Sequence, residues 1–466
     1  MNIIERDIGI FSLEYLHESV VRIESPDIYA FRIDKALNEA KKRDLSHLII
    51  YGDREHFANI HYFTGYDPRF EESILILSEN RCPILLVGNE GFNYANIIPY
   101  KLDKILFQTL SLPEQPRSKN NVKVLFEAFS SAGISISSRV GVIGFKYYTQ
   151  HDFSDPFHTY DVPYYLISIL SQITSLANLS NATDIMIHPL YGLRTTVDID
   201  EIAILELSGT KSSRAVYNVL INLKPGLSEI EASSYFLIDG DPLVSHANLN
   251  FTLEGFRLGL MSPGKAILRL GDVCNIGFGY RSSMVARTAL YARGKEDLTP
   301  EWDNVLESIC IPYFKIIAIW YESLKIGTTG KAIIDKIKSQ VEEYDSLGIG
   351  LNLGHLIHND EWTTSIFTEN AEYPVRSGMA IQCDIISVPL VLPGAHAEDG
   401  LIMADKSLRE SFAKKYSENW NRIQKRRNFM INNLGIQISD DLLPLSDIQA
   451  CFFPWMADMS RVLAIS

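Results

Sequence analysis

Short apolar runs alternate with stretches of helical spacing over the first 188 residues, and this alternation narrows the fold more than any other feature. "HLIIYG" (47–52), "ESILILSE" (72–79), "CPILLVGNEG" (82–91) and "RVGVIGF" (139–145) read as buried strands. Between them "DIYAFRIDKALNEAKKRDLS" (27–46), "VKVLFEAFSSAG" (122–133) and "DVPYYLISILSQITSLANL" (161–179) read as helices. Strands that alternate with helices predict a layered α/β domain with a mostly parallel or mixed sheet.

The pattern then changes. "DIDEIAILELSGTKSSRAVYNVLINLKPGLSE" (198–229) predicts a long helix with Asp198 or Asp200 as its cap and Pro225-Gly226 as its stop. A second helix follows, capped by Ser228, and a long one begins at Thr299-Pro300. Strands dominate 268–291 and return at "GMAIQCDIIS" (378–387) and "AEDGLIMAD" (397–405). Helices followed by strands predict an α+β domain with antiparallel strands and helices on one face. This second domain is expected over 189–406. A helical extension is expected over 407–466, with Leu408, Phe412, Tyr416 and Trp420 on one helix face. The apolar tail "ACFFPWMADM" (450–459) reads as a docking element, one that would reach across a dimer.

The net charge of −14 argues against a nucleic-acid surface, which needs clustered Lys and Arg. Cys82, Cys274, Cys310, Cys383 and Cys451 form no CxxC pair and read as reduced, buried thiols. Cys274 and Cys383 alternate with the polar residues of their strands and belong to the opposite face. The N-terminus carries acids where a secretory leader needs a basic and then apolar run, and no apolar stretch reaches membrane-spanning length. A cytoplasmic protein with no membrane partner is expected.

No GxSxG, GxxxxGK[ST], HExxH or EF-hand loop is present. Chemistry concentrates instead in "GLNLGHLIHNDEW" (350–362) and "VRSGMAIQCDIISVPLVLPGAHAEDGLIMAD" (375–405). These stretches hold His355, His358 and His396, with Asp360, Glu361, Asp384, Glu398 and Asp399. Residues at i and i+2 of a strand share a face, so Gln382 goes with Asp384, and His396 with Glu398. Antiparallel pairing would then gather Asp384, His396 and Glu398 near His355. Such a cluster suits a hard or borderline divalent ion. A buried hydrogen-bonded network is the other reading, and the spacing alone does not choose.

"NIHYFTGY" (59–66), "KPGLSEIEA" (224–232), "GH" (354–355), "RSGMAIQCD" (376–384) and "HAEDGLIM" (396–403) together resemble motifs of the creatinase, aminopeptidase P and prolidase family, in the family's order. The resemblance covers the chain to about residue 405. It implies the pita-bread fold, with a creatinase-like α/β domain in front, and a homodimer. Catalytic members of that family hold two divalent ions between two Asp, one His and two Glu. Carried onto this chain, the His falls on His355, the first Glu on Asp384 and the second on Glu398. The two Asp belong to the hairpin in "GDVCNIGFGYRSSMVARTALY" (271–291), which has no acid after Asp272. With Arg287-Thr288 as anchor they fall on Gly277 and Met284. The Arg that often precedes the last Glu falls on His396. Creatinase-type residues are missing as well: its His falls on Leu260, with His246 further upstream, and its hairpin Glu falls on Ala286.

Two ions held close together need several anions to offset their repulsion. The expected site is therefore at most a single-ion site of His355, Asp384 and Glu398, or a metal-free one with the same residues as catalysts. His358, His396, Gln382, Met284 and Glu361 are expected around the substrate. The resemblance then implies a hydrolase or related enzyme for a small amide, peptide or guanidino C–N bond. A non-catalytic pita-bread protein that binds a peptide or small molecule is the alternative.

Overall fold

The computed structural model describes all 466 residues. Strand β1 (Ile3–Asp7) opens the chain. Residues Arg22–Arg194 then form one compact unit, while Met1–Val21 and Thr195–Ser466 together form another.

The Arg22–Arg194 unit contains β2 (His47–Gly52), β3 (Ser73–Ser78), β4 (Ile84–Val87), β5 (Asp103–Leu106), β6 (Val140–Ile143) and β7 (Leu179–Asn181). They make one sheet in the order β5-β4-β3-β2-β6-β7. Neighbours β2/β3 and β3/β4 run antiparallel and the other pairs run parallel, so the sheet is mixed. Alternate residues enter two separate cores. Leu48, Ile50, Leu75 and Leu77 pack with Ala36, Ile60 and Phe63. Ile49, Tyr51, Ile74 and Ile76 pack with Leu125, Phe129, Leu166 and Leu170. Burial on both faces explains why these strands read as unbroken apolar runs. The unit ends at Arg194, six residues past the expected boundary, because that buried guanidinium donates to Asn59 Oδ1 at 2.7 Å. Asn59 in turn donates to the Gly144 carbonyl at 2.8 Å.

The second unit is built on β8 (Asn248–Asn250), β9 (Val273–Tyr280), β10 (Ser283–Leu290), β11 (His355–Leu356), β12 (Ala380–Ser387), β13 (Ala395–Met403) and β14 (Leu442–Pro444). Its order is β11-β12-β13-β10-β9-β8, with β14 also on β13, and every pair is antiparallel. The last strand, β15 (Arg461–Ile465), pairs with β1. The long helix Ile199–Asn222 is capped by Asp198, whose carboxylate takes the Asp200 and Glu201 amides while Glu201 reaches back. Its Ser212 hydroxyl donates to the Ser283 carbonyl and accepts from the Tyr280 amide, which fixes it against the β9–β10 hairpin.

Three expected elements differ. The helix expected from Thr299 becomes a 3-10 turn at Pro300–Trp302, a π turn at Leu306–Cys310 and a helix only at Ile311–Ser323. Pro312 has no N–H to donate to the preceding turn, so that turn widens. The helix face of Leu408 to Trp420 is split between Lys406–Lys415 and Ser417–Asn432, because Tyr416 leaves helical geometry at φ −124°, ψ 62°. The C-terminal segment is also not purely helical, since it supplies β14 and β15. Its tail docks in the unit's own core, where Phe452, Phe453, Trp455 and Met456 are buried. The Trp455 indole donates to Glu5 Oε2 at 3.0 Å. No helix is long and apolar enough to cross a membrane.

Candidate functional site

The strand register decides which side chains meet. Asp384 lies opposite Glu398, which lies opposite Ala286. Ala286 lies opposite Gly277, which lies opposite Asn248. His355 is paired with Gln382 one step along. Directly opposed residues share a face, so these side chains project together.

His355, Asp384 and Glu398 each place one donor atom within 4.8 Å of the others, and all three are buried. His355 Nε2 is 3.0 Å from Glu361 Oε1 and 3.8 Å from Asp384 Oδ2. His396 Nε2 donates to Asp384 Oδ1 at 2.8 Å and is 3.7 Å from Glu398 Oε2. Gln382 Nε2 donates to Glu398 Oε1 at 3.0 Å. The Trp362 ring stacks on His355, with centroids 4.1 Å apart. His355 Nδ1 is 3.3 Å from the Leu356 carbonyl, which places a proton on that nitrogen and turns Nε2 toward the acids. The result is a closed group of three carboxyls and two imidazoles.

Burial and charge drive these groups apart in acidity. Burial pushes the Glu398 carboxyl well up, and the Asp384 and Glu361 charges add to it. Burial also pushes Asp384 up, but the His396 bond and the histidine charges outweigh this, and it ends below its ordinary value. For His355 burial favours the neutral ring, yet Glu361 and Asp384 win and its pKa is raised. Two carboxyls with opposite shifts, side by side, are the arrangement from which acid and base roles arise.

The hairpin contributes no acid to this face. Its residues there are Asn275, Gly277 and Gly279 on β9, and Met284, Ala286 and Thr288 on β10. The sequence anchor sets Gly277 and Met284 as the places of the absent carboxylates. In the register the β10 residue opposite Glu398 is Ala286, and Met284 is one pair further on. Thr288 Oγ1 donates to Asn275 Oδ1 at 2.7 Å, so neutral groups satisfy one another there. Two ions do not fit this donor set: His355, Asp384 and Glu398 converge, fewer than the two Asp, one His and two Glu that the resemblance assigns to two ions. One ion fits it.

Of the other candidates, His396, Gln382 and Glu361 join the cluster, while His358 is drawn to Glu201 Oε1 at 3.1 Å on the long helix. Met284 lies over Gly277: its methyl is 2.9 Å from the point where a Cβ on that glycine would sit. Leu260 is exposed, and its carbonyl is 2.7 Å from His246 Nε2. Behind the sheet face, Arg287 is fully buried and donates to both oxygens of Asp399 at 2.8 and 3.0 Å and to the Glu398 carbonyl at 3.0 Å. It ties β10 to the strand that carries Glu398. The sequence marks the Trp362 and Tyr373 region as either a pocket wall or ordinary core, without the stack on His355, and it misses the amide strip of Asn248, Asn250 and Asn275. The period-2 pattern of "NLN" was the signal for the strip.

No family model matches the chain, and no curated protein does. Solved structures do. An Xaa-Pro dipeptidase from Bacillus anthracis superposes with a TM-score of 0.60 at 14% identity, over 81% of this chain and 96% of that one. A prolidase from Pyrococcus horikoshii gives 0.61 at 15%, over 80% and 95%. An X-Pro aminopeptidase from Thermotoga maritima gives 0.62 at 13%, over 90% and 99%. The chain has the pita-bread fold. On that fold this chain carries acids on β12 and β13 and none on the site face of the hairpin.

Proposed function

We propose that the chain is a pita-bread hydrolase for a small amide, peptide or guanidino C–N bond, working without a dinuclear metal centre. The observation that carries this reading is the convergence of His355, Asp384 and Glu398 on one buried sheet face. Buried charges destabilise a fold unless paired, so a cluster of five ionisable groups is costly as mere scaffold. Fold similarity to dipeptidases and an aminopeptidase supports the hydrolase class.

In this reading Asp384, held ionised and oriented by His396, and His355 position a water and take its proton. Glu398 keeps its proton and delivers it to the leaving nitrogen. A single divalent ion, if bound, would be held by His355, Asp384 and Glu398 and would supply Lewis acidity. The protein is read as a cytoplasmic homodimer whose ligand is a small molecule or short peptide. A second reading, ligand binding without turnover, draws support from the cluster's closure: each of its three candidate ligands already has a partner inside the protein.

The test is direct. Protein purified without chelator is assayed for metal and for turnover of Xaa-Pro dipeptides, small amides and guanidino compounds. At most one ion per chain is expected. Glu398→Gln and His355→Ala are each expected to lower turnover by about 100-fold or more, the usual scale for a lost acid or base. Two tightly bound ions per chain would overturn the assignment, and so would a panel with no turnover at all.

A further inference from the structure

A cavity of about 590 Å³ opens in the Arg22–Arg194 unit, while the acid cluster belongs to the other unit. That volume lies in the range of small-molecule sites. Its walls are rich in rings. Tyr191 and His188 stack with centroids 4.0 Å apart and planes 5° from parallel, and Tyr147 extends the stack at 5.8 Å. The Arg43 guanidinium lies 5.4 Å from the Tyr191 centroid. Tyr148 and Phe157 line the cavity as well. Phe157 sits on the short turn Pro156–His158, whose start Asp155 caps by accepting from the His158 amide. The backbone therefore holds its ring out at the cavity, 68% exposed.

The charges in the lining leave an excess of cation. Its one acid, Asp184, is already paired: both oxygens accept from Arg43 Nη1, at 2.7 and 2.8 Å, and Oδ2 also accepts from the Tyr191 hydroxyl at 2.7 Å. Arg43 keeps Nε and Nη2 without a partner. The Arg139 side chain makes no hydrogen bond, and Asp44 Oδ2 stands 3.7 Å from its Nη1. The two arginines start from neighbouring backbone, because the Ser46 amide and hydroxyl both donate to the Arg139 carbonyl, at 2.8 and 3.0 Å. Guanidinium forks with donors to spare recognise phosphate and carboxylate oxygens. Ring faces beside them stack on a planar aromatic group.

We propose that this cavity binds a planar aromatic ring that carries a phosphate, as a nucleoside monophosphate does, with the phosphate on Arg43 and Arg139 and the ring against Phe157 and Tyr148. A carboxylate would fill one guanidinium fork and leave the second unmet, whereas the three oxygens of a phosphate serve both. The proposal does not rest on the hydrolase reading.

Adenosine monophosphate, adenosine and inorganic phosphate separate the two halves of the ligand. Binding is measured by calorimetric titration of the full chain, with near-ultraviolet circular dichroism as the check on folding. Adenosine monophosphate is expected to bind at least about tenfold more tightly than adenosine, the scale of one hydrogen bond to a charged group. It is expected to bind at least about fivefold more tightly than inorganic phosphate, the scale of one stacked base. Arg139→Gln should weaken adenosine monophosphate by about tenfold and leave adenosine unchanged. Phe157→Ala should weaken both by about fivefold and leave inorganic phosphate unchanged. Both side chains are more than half exposed, so each variant keeps the fold. Equal affinity for adenosine monophosphate and adenosine, no binding of adenosine monophosphate, or an affinity untouched by both variants would overturn the proposal.

Discussion

Glu206 is fully buried on the long helix and ties the helix Ser417–Asn432 to it. Its carboxylate accepts from Thr210 Oγ1 at 2.9 Å, Asn419 Nδ2 at 2.7 Å, Arg422 Nε at 2.9 Å and Arg426 Nη1 at 2.6 Å. Arg426 is itself buried and keeps one other anion, Asp447, at 2.7 Å. Glu206→Ala therefore removes one of two counter-charges from a buried guanidinium and half-strands a second arginine. Removing one partner of a buried pair costs about 3–5 kcal/mol. The retained Asp447 argues for the lower half of that range. All the tryptophans, Trp302, Trp320, Trp362, Trp420 and Trp455, belong to the second unit, so fluorescence follows that unit alone. Its melting point is expected to fall by about 6–8 °C, at roughly 2 °C per kcal/mol for a unit of this size. Pairing Glu206→Leu with Arg426→Met should recover most of the loss, because a buried ion pair replaced by apolar groups of similar volume is often neutral. A Glu206→Ala loss below about 1 kcal/mol would refute the reasoning, and so would strict additivity in the double variant.

Other outcomes follow from the same structure. Arg287→Met leaves Asp399 buried without its ion pair and is expected to cost about 3–5 kcal/mol in the tryptophan-monitored melt; a smaller cost than a surface pair's ~1 kcal/mol would count against it. Native protein should show at most one rapidly reacting thiol, Cys82, because the other four are buried; burial pushes Cys310 up to about 12. Ellman titration that finds two or more fast thiols would contradict this. For Asp447 burial pushes the carboxyl up, but Arg426 and Arg214 pull it below its ordinary value. Its stabilising contribution is complete above the unfolded carboxyl pKa of about 3.9 and is lost as pH falls through the depressed folded value. Asp447→Asn should therefore be less stable at neutral pH and flatten the acid limb by up to about 1.4 kcal/mol per pH unit; parallel acid limbs would refute it.

Much of the fold was legible because its signals are local. Period-2 stretches marked β9, β10, β12 and β13, and the cap at Asp198 and the stop at Pro225-Gly226 bounded the long helix. Motif order gave the fold where no single motif would. What the sequence hid depends on register and on distant partners. Ala286 meets Glu398 only because β10 and β13 pair at that offset, and a one-residue slip would put another residue there. Likewise Tyr416 interrupts a pattern that remains amphipathic on both sides, so periodicity runs through the break. The acids on β12 and β13 were visible, but that Gln382 would turn its nitrogen to Glu398 and leave its oxygen unpaired required coordinates.

The pairing of β1 with β15 orders the protein's assembly in time. Residues Arg22–Arg194 are contiguous and can close their sheet as soon as they leave the ribosome. The other unit finishes later: Ile3–Asp7, in a two-stranded sheet of its own, waits for Arg461–Ile465. During that interval its first segment is an unpaired strand with exposed hydrogen-bonding groups, the state in which chains stick to one another or call for a chaperone. The acid cluster lies on the seven-stranded sheet of the same unit, whose last strand is Leu442–Pro444. Its buried charges are therefore assembled only after nearly all of the chain is available to shield them.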